Sequence, residues 1–227
     1  MKKIALLFAL ALVFSCNKKV VQLPEISHSN ITELEDVSAA YLFYNETKSD
    51  SVELNRKNLI STTNWLVNVD KRLNLKQAIP HIKFLQDKKA NAGHKNEKAK
   101  NYFTCHDTSR NNLGFLEFTN VEYHEEESSE YFKKVSQLRI WSPIYVKIKK
   151  SDEIMLMGFW NDSNFQKSNT LNLIDDLESI LKDDKLIMKI ILDFDKNISF
   201  QDYISIKTQL SDLKIENLQV FEHEFIY

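Results

Sequence analysis

The sequence predicts an α+β protein made of two small α/β units, each a sheet with helices packed on one face. Three observations lead to this prediction. Apolar stretches of strand composition alternate with amphipathic stretches of helical period. The order strand, Asp-Lys pair, polar turn and amphipathic helix occurs twice, at 64–88 and at 186–213. Apolar residues make up 43% of the chain, which is enough to bury a core.

The repeated pattern contains identical polar residues as well as a shared apolar period. Aligning Trp65 with Ile190 and continuing without a gap gives six identical pairs. They are Asp70/Asp195, Lys71/Lys196, Ile79/Ile204, Leu85/Leu210, Asp87/Asp212 and Lys89/Lys214. Any strand–helix pair shares an apolar period, so the polar identities are the more informative ones. We interpret the first unit as a degenerate repeat of the second, and two unrelated units with convergent patterns are the alternative.

The second unit, residues 137–227, is predicted to have the order β-β-α-β-α-β. Its predicted elements are a hairpin from Ile144 to Trp160, a helix over 173–181, a strand from Leu186 to Phe194, a helix capped by Ser199 and a final strand over 217–225. Asp202 follows the Ser199 cap in the first turn of its helix, where an acidic residue is favourable. The final strand could pair with a strand of a partner protein if its edge is exposed.

The first unit, residues 38–124, is predicted to contain a buried strand ending at Asp70 and a helix over 75–88. Leu75, Ala78, Ile79, Ile82 and Leu85 recur at helical spacing and should form the buried face of this helix. Pro80 lies within the predicted helix and is expected to weaken or kink it. Residues 125–136 are predicted to be a charged connector between the units.

The N-terminus predicts export and lipid attachment. Residues 1–15 have two lysines followed by an apolar run from Ile4 to Phe14, which is too short for a spanning helix of about 20 residues. The small residue before Cys16 resembles a bacterial lipoprotein signal, which implies lipidation of Cys16 and a tether over 16–37. An ordinary signal peptide with an incidental cysteine is the alternative. We expect a lipid-anchored cell-envelope protein that faces the periplasm, on either the inner or the outer membrane.

Composition and spacing argue against several classes of chemistry. A net charge of −2 gives no basic surface for nucleic acid, and 3 glycines are few for a phosphate-binding loop. His124 and the adjacent glutamates lack the spacing of a metalloprotease motif. Cys105, His106 and Asp107 are consecutive on a predicted strand, so they cannot converge on one metal unless the strand has a bulge there. We therefore predict no catalytic residues, no metal, no cofactor and a buried structural thiol at Cys105.

Residues 143–222 resemble the periplasmic domain of the ExbD/TolR biopolymer-transport proteins. Asp195, Lys196 and Tyr203 occupy positions that match the family pattern of strand, Asp-Lys pair, turn, helix and final strand. The chain departs from the family at Phe200-Gln201, where Tyr-Gly is typical, and before the last strand. The family also carries a transmembrane helix with a proton-coupling aspartate, which residues 4–14 do not provide.

The resemblance implies a non-catalytic lipoprotein that binds partner proteins of an energy-coupled transport complex, or peptidoglycan, and it also implies dimerisation. The candidate partner-binding residues are Trp141, Trp160, Asp195, Lys196 and Tyr203. Turn formation is the alternative role for Asp195 and Lys196, because aspartate bonds to the backbone amides that follow it. The alternative function is an envelope enzyme or a small-molecule binding protein, with a site in residues 90–110 near Cys105 and His106.

Overall fold

The computed structural model describes residues 19–94, 96–135, 141–158, 165–180, 187–215 and 217–227. Over these residues the chain forms two six-stranded sheets with helices beside them, which confirms the predicted α+β fold of two sheet units. The helices are α1 (Leu75–Ala90), α2 (Ser128–Lys134), α3 (Leu173–Ile180) and α4 (Phe200–Ser211). No helix in the described part of the chain is long and apolar enough to cross a membrane.

The first sheet has the order β3-β2-β4-β5, with β6 along one edge of β5. Its strands are β1 (Glu25–Ile26), β2 (Val37–Tyr44), β3 (Val52–Asn55), β4 (Asn64–Val69), β5 (Asn101–Asp107) and β6 (Asn112–Glu117). Because β6 covers one edge of β5, β1 and β4 share the opposite edge. Part of the predicted tether over 16–37 therefore belongs to the folded protein. A strand as short as β1 has no detectable period in the sequence.

The second sheet has the order β10-β9-β8-β11-β12-β7. Its strands are β7 (Glu122–His124), β8 (Ser142–Lys150), β9 (Glu153–Gly158), β10 (Gln166–Ser168), β11 (Met188–Phe194) and β12 (Leu218–Ile226). The strand β10 was not predicted from the sequence. The helix α2 lies within residues 125–136, which were predicted to be a connector. The strand β7 pairs with β12, although the sequence analysis had assigned residues up to 124 to the first unit.

The two sheets contain the same repeated unit, so the interpretation of the first unit as a repeat agrees with the topology. The order β3-β2-β4-β5 matches β9-β8-β11-β12, and in each case an antiparallel hairpin is followed by two parallel strands. Asp70 follows β4 and Asp195 follows β11. The helices α1 and α4 follow these aspartates at aligned positions.

The Asp-Lys turns of the two units contact each other through reciprocal main-chain hydrogen bonds. Aligned residues exchange roles in these bonds, which are Leu75 N to Ile198 O (3.1 Å), Phe200 N to Leu73 O (2.6 Å), Lys76 N to Lys196 O (2.8 Å) and Gln201 N to Lys71 O (3.3 Å). Such reciprocity is typical of the isologous interface of a twofold dimer. The chain therefore contains an approximate internal twofold axis at the two turns.

Both repeat helices begin at aligned caps. Asn74 Oδ1 accepts a hydrogen bond from Gln77 N at 3.0 Å, and Ser199 Oγ accepts one from Asp202 N at 3.0 Å. These bonds confirm the predicted Ser199 cap. The helix α1 continues through Pro80 at the cost of one main-chain hydrogen bond, because all five predicted apolar positions of its inner face are buried.

The two units share one hydrophobic core. Phe200 and Tyr203 on α4 contact Phe103 of β5, with ring centroids 5.2 and 6.2 Å apart. Tyr203 also contacts Phe194 of β11, with centroids 5.1 Å apart. The buried side chains of both halves belong to one contiguous cluster, and α4 therefore contacts both sheets.

Candidate functional site

Asp195 and Lys196 lie in the turn at the internal twofold axis. Asp195 Oδ1 accepts a hydrogen bond from Asn197 N at 2.8 Å, and Asp70 Oδ1 accepts one from Arg72 N at 3.1 Å. This is the geometry of the turn-forming role that the sequence analysis offered as an alternative. Lys196 is exposed and borders a cavity of about 310 Å³ next to α1.

Tyr203 is part of a buried polar network. Its hydroxyl donates to Glu224 Oε2 at 2.8 Å and lies 3.1 Å from the hydroxyl of Tyr123. Lys207 Nζ donates to the second carboxylate oxygen of Glu224. Both Tyr203 and Glu224 are fully buried, and burial raises the pKa of the Tyr203 hydroxyl. This position corrects the assignment of Tyr203 to a partner-binding surface, because its contacts are internal.

Trp141 belongs to an aromatic cluster on the face of the second sheet that carries α2. We define this aromatic cluster by the residues Tyr131, Phe132, Trp141, Phe221 and Phe225. Trp141 and Phe221 have ring centroids 5.4 Å apart, and Lys189 Nζ lies 5.7 and 5.6 Å from their centroids. The cluster is half-exposed except for Phe225, which is buried. Trp160 and Cys16 lie outside the described residues.

The strand β12 has an open edge beside the aromatic cluster. One side of β12 pairs with β11, whereas β7 covers the other side only at His223, Glu224 and Phe225. Over the residues that the structure describes, no strand pairs with that side of Leu218–Glu222. The predicted final strand thus has, over its first part, an edge that no described strand covers.

Cys105 and His106 do not form a common site. Cys105 is fully buried, and this burial raises the pKa of its thiol to about 12, so it is an inert structural thiol as predicted. His106 points to the other face of β5, where its Nε2 lies 3.1 Å from Asn111 Oδ1. The strand alternation that argued against a metal at these residues is present in β5.

A polar groove of about 790 Å³ runs between α1 and the segment that leads into β7, and Asn96, Glu97 and Asn101 are among its lining residues. Lys89 also lines it, although its side chain is largely buried. Lys89 Nζ donates to Lys100 O at 2.8 Å and to Asn101 Oδ1 at 3.0 Å. Burial lowers the pKa of Lys89 to about 8. A lysine with a lowered pKa in a cleft is a candidate for ligand binding.

The pairing of His124 with His223 is not predicted by any local pattern in the sequence. His124 Nε2 lies 2.8 Å from His223 Nδ1, and Glu122 Oε2 lies 3.4 Å from the same His223 nitrogen. Burial lowers the pKa of His124, and the neighbouring His223 lowers it further. The two histidines are far apart in sequence, so only the register of β7 against β12 brings them together. Their donor atoms, with that of Glu122, are close enough to hold a metal ion.

Comparison of the chain with protein-family models, curated proteins and solved structures found no match. The similarity to the ExbD/TolR family therefore rests on the residue pattern alone and stays a prediction.

Proposed function

We propose that this protein is a non-catalytic cell-envelope lipoprotein, anchored through Cys16, that binds a partner protein of an energy-coupled transport complex. The open edge of β12 over Leu218–Glu222 carries the proposal. An extended segment of a partner can add to such an edge, because main-chain hydrogen bonds there give affinity without a deep pocket. Natural proteins usually protect an edge that has no partner.

The surroundings of this edge favour a protein ligand. On its other side β12 pairs with β11 at Leu218–Val220 and again from Glu224, with a register shift between them, so the edge is presented by a strand that is held on both sides of a bulge. Phe221 and Trp141 lie next to it, and aromatic side chains often supply most of the binding energy of an interface. Gln219 and Glu222 are exposed, so the strand also offers polar side chains at its rim.

Site-specific crosslinking in cells tests this proposal. A photo-crosslinking amino acid is placed at Gln219 in the full-length chain, and a matched one at Lys88, which is exposed on α1. We expect one specific protein adduct from Gln219 that Lys88 does not give, and weaker capture with Phe221→Ala. Recovery of wall fragments in place of a protein would indicate peptidoglycan binding. The absence of any adduct at normal expression contradicts the proposal.

The groove beside α1 supports a second candidate function, the binding of a small polar molecule. The specific observation is Lys89, a nearly buried lysine that lines the groove together with Glu97. A screen for ligands that raise the melting temperature of the wild-type protein tests this candidate. A ligand of the groove should lose its effect in Lys89→Met and retain it in Lys88→Met, which changes the neighbouring exposed lysine.

A further inference from the structure

The outer face of the β7–β12 pair carries a cluster of metal-ligand side chains. In this parallel pairing Glu122 lies opposite His223, and His124 lies opposite Phe225. Alternate residues of a strand face opposite sides of the sheet. The intervening residues, Tyr123 and Glu224, accordingly point inward to the buried network. This alternation places Glu122, His124 and His223 together on the outer face.

The two imidazole rings lie end to end and nearly coplanar, with their nitrogens in direct contact. Their centroids are 5.0 Å apart, with an angle of 16° between the ring planes. The distance of 2.8 Å between His124 Nε2 and His223 Nδ1 requires one nitrogen to donate a hydrogen and the other to accept it. The donor atoms of Glu122, His124 and His223 all lie within 4.8 Å of one another.

We propose that Glu122, His124 and His223 bind a divalent transition-metal ion, for which Zn²⁺ is the best fit. Two imidazole nitrogens and one carboxylate oxygen form a donor set that suits Zn²⁺ in a four-coordinate site with one position left open. Binding replaces the hydrogen between the two rings, and the donating ring adopts the tautomer that carries its hydrogen on the other nitrogen. No net proton has to leave.

To accept the ion the two rings must separate and tilt, because at present their nitrogens point at each other. Zinc–nitrogen bonds of about 2.0–2.1 Å at a tetrahedral angle hold two ligand nitrogens about 3.3 Å apart. The present distance of 2.8 Å must therefore open by about 0.5 Å. The side chain of Glu122 is 67% exposed and can turn toward the ion without breaking the core.

Neighbouring rings limit how far the histidines can move. His124 stacks on Phe225 with centroids 5.2 Å apart, and Tyr131 lies 4.6 Å from His124 and 5.5 Å from His223. Rings that are held in this way lose less conformational freedom when they bind a metal. The ion would join the three-residue strand β7 to β12 and so fix the end of the open edge.

Titration of the full-length protein with Zn²⁺ tests the site, with a tag that contains no histidine and after treatment with a chelator. We expect binding of one equivalent in the micromolar range or tighter, and a rise in melting temperature with Zn²⁺ concentration. His223→Gln, His124→Gln and Glu122→Gln should each weaken binding by at least about tenfold. His106→Gln changes a histidine outside the cluster and should bind as the wild type does.

Two results would overturn the proposal. One is a wild-type protein that binds no Zn²⁺ at micromolar concentration. The other is an affinity that the three cluster variants leave unchanged. Because a histidine substitution could disturb β7, the circular dichroism of each chelated variant is compared with that of the wild type. Because the side chain of Glu122 is exposed, Glu122→Gln should disturb the fold least, and its zinc affinity is the clearest test of the site. Co²⁺ absorption then reports whether the coordination is tetrahedral.

Discussion

The two repeat helices have the same place in their units but different chemistry on their inner faces. Ala78 and Ile82 on α1 are buried and apolar, whereas the aligned residues of α4 are Tyr203 and Lys207. These two residues bind the buried carboxylate of Glu224. The same backbone unit therefore accommodates an apolar interface in one copy and a charged network in the other. The difference shows that backbone topology and core chemistry are separable within one chain.

The two Asp-Lys turns differ in a similar way. Arg72 forms two hydrogen bonds to the Asp70 carboxylate, from Nε at 2.8 Å and from Nη2 at 2.7 Å. At the aligned position the second turn has Asn197, whose side-chain amide donates to Asp195 at 2.9 Å. Each aspartate stabilises its turn by accepting a hydrogen bond from the backbone amide two residues later. The first turn also contains an ion pair between Asp70 and Arg72.

The largest expected effect comes from breaking the charged network of the second unit. Glu224→Ala leaves Lys207 nearly buried without its counter-charge, and we expect a loss of about 3–5 kcal/mol in the free energy of unfolding. Chemical denaturation measures this loss. The double variant Glu224→Leu with Lys207→Met makes the site resemble the first unit and should recover most of the stability. A double variant as unstable as Glu224→Ala would contradict this account.

A matched pair of core truncations tests whether the two units unfold together. Leu85 and Leu210 are aligned and nearly fully buried, so Leu85→Ala and Leu210→Ala should each cost about 2–5 kcal/mol. Because one core spans both units, each variant should shift a single denaturation transition that fluorescence and circular dichroism report alike. Separate transitions, each sensitive to one substitution only, would show that the units fold independently.

The smallest expected effect is a difference in acid sensitivity between the two turns. Burial raises the pKa of Asp70, but hydrogen bonds from the Arg72 side chain and from the amides of Arg72 and Gln22 lower it by more. The net pKa is lowered, so this carboxylate stabilises the fold above its unfolded pKa of about 3.9. That contribution is lost as the pH falls through the folded pKa.

Asp70→Asn should therefore reduce stability at neutral pH and flatten its decline between about pH 5 and pH 2. Asp195→Asn removes the aligned carboxylate but keeps the Asp70–Arg72 pair, so the acid-linked loss that this pair causes should persist. Denaturation midpoints over this pH range measure both variants. Identical profiles for Asp70→Asn and the wild type would show that the ion pair contributes nothing.

The sequence by itself determined the elements that a local pattern specifies. Residue types and their spacing over a few residues predict the buried face of α1, the Ser199 cap and the repeated strand–turn–helix order. Helical period and cap chemistry act within one or two turns, so a short stretch of sequence is enough to predict a helix face or a cap. Pro80 was the exception, because burial of the whole helix face outweighs one missing hydrogen bond.

Only the tertiary structure decided which distant residues meet. Such long-range pairs are the contact between the two turns, the placement of β1 on β5, the hydrogen bond of Tyr203 to Glu224 and the contact of His124 with His223. The pairings of β1 with β5 and of β7 with β12 depend on strand register, and a shift of one residue would turn every side chain to the other face. Register is fixed by the packing of the shared core, for which a single sequence has no local pattern.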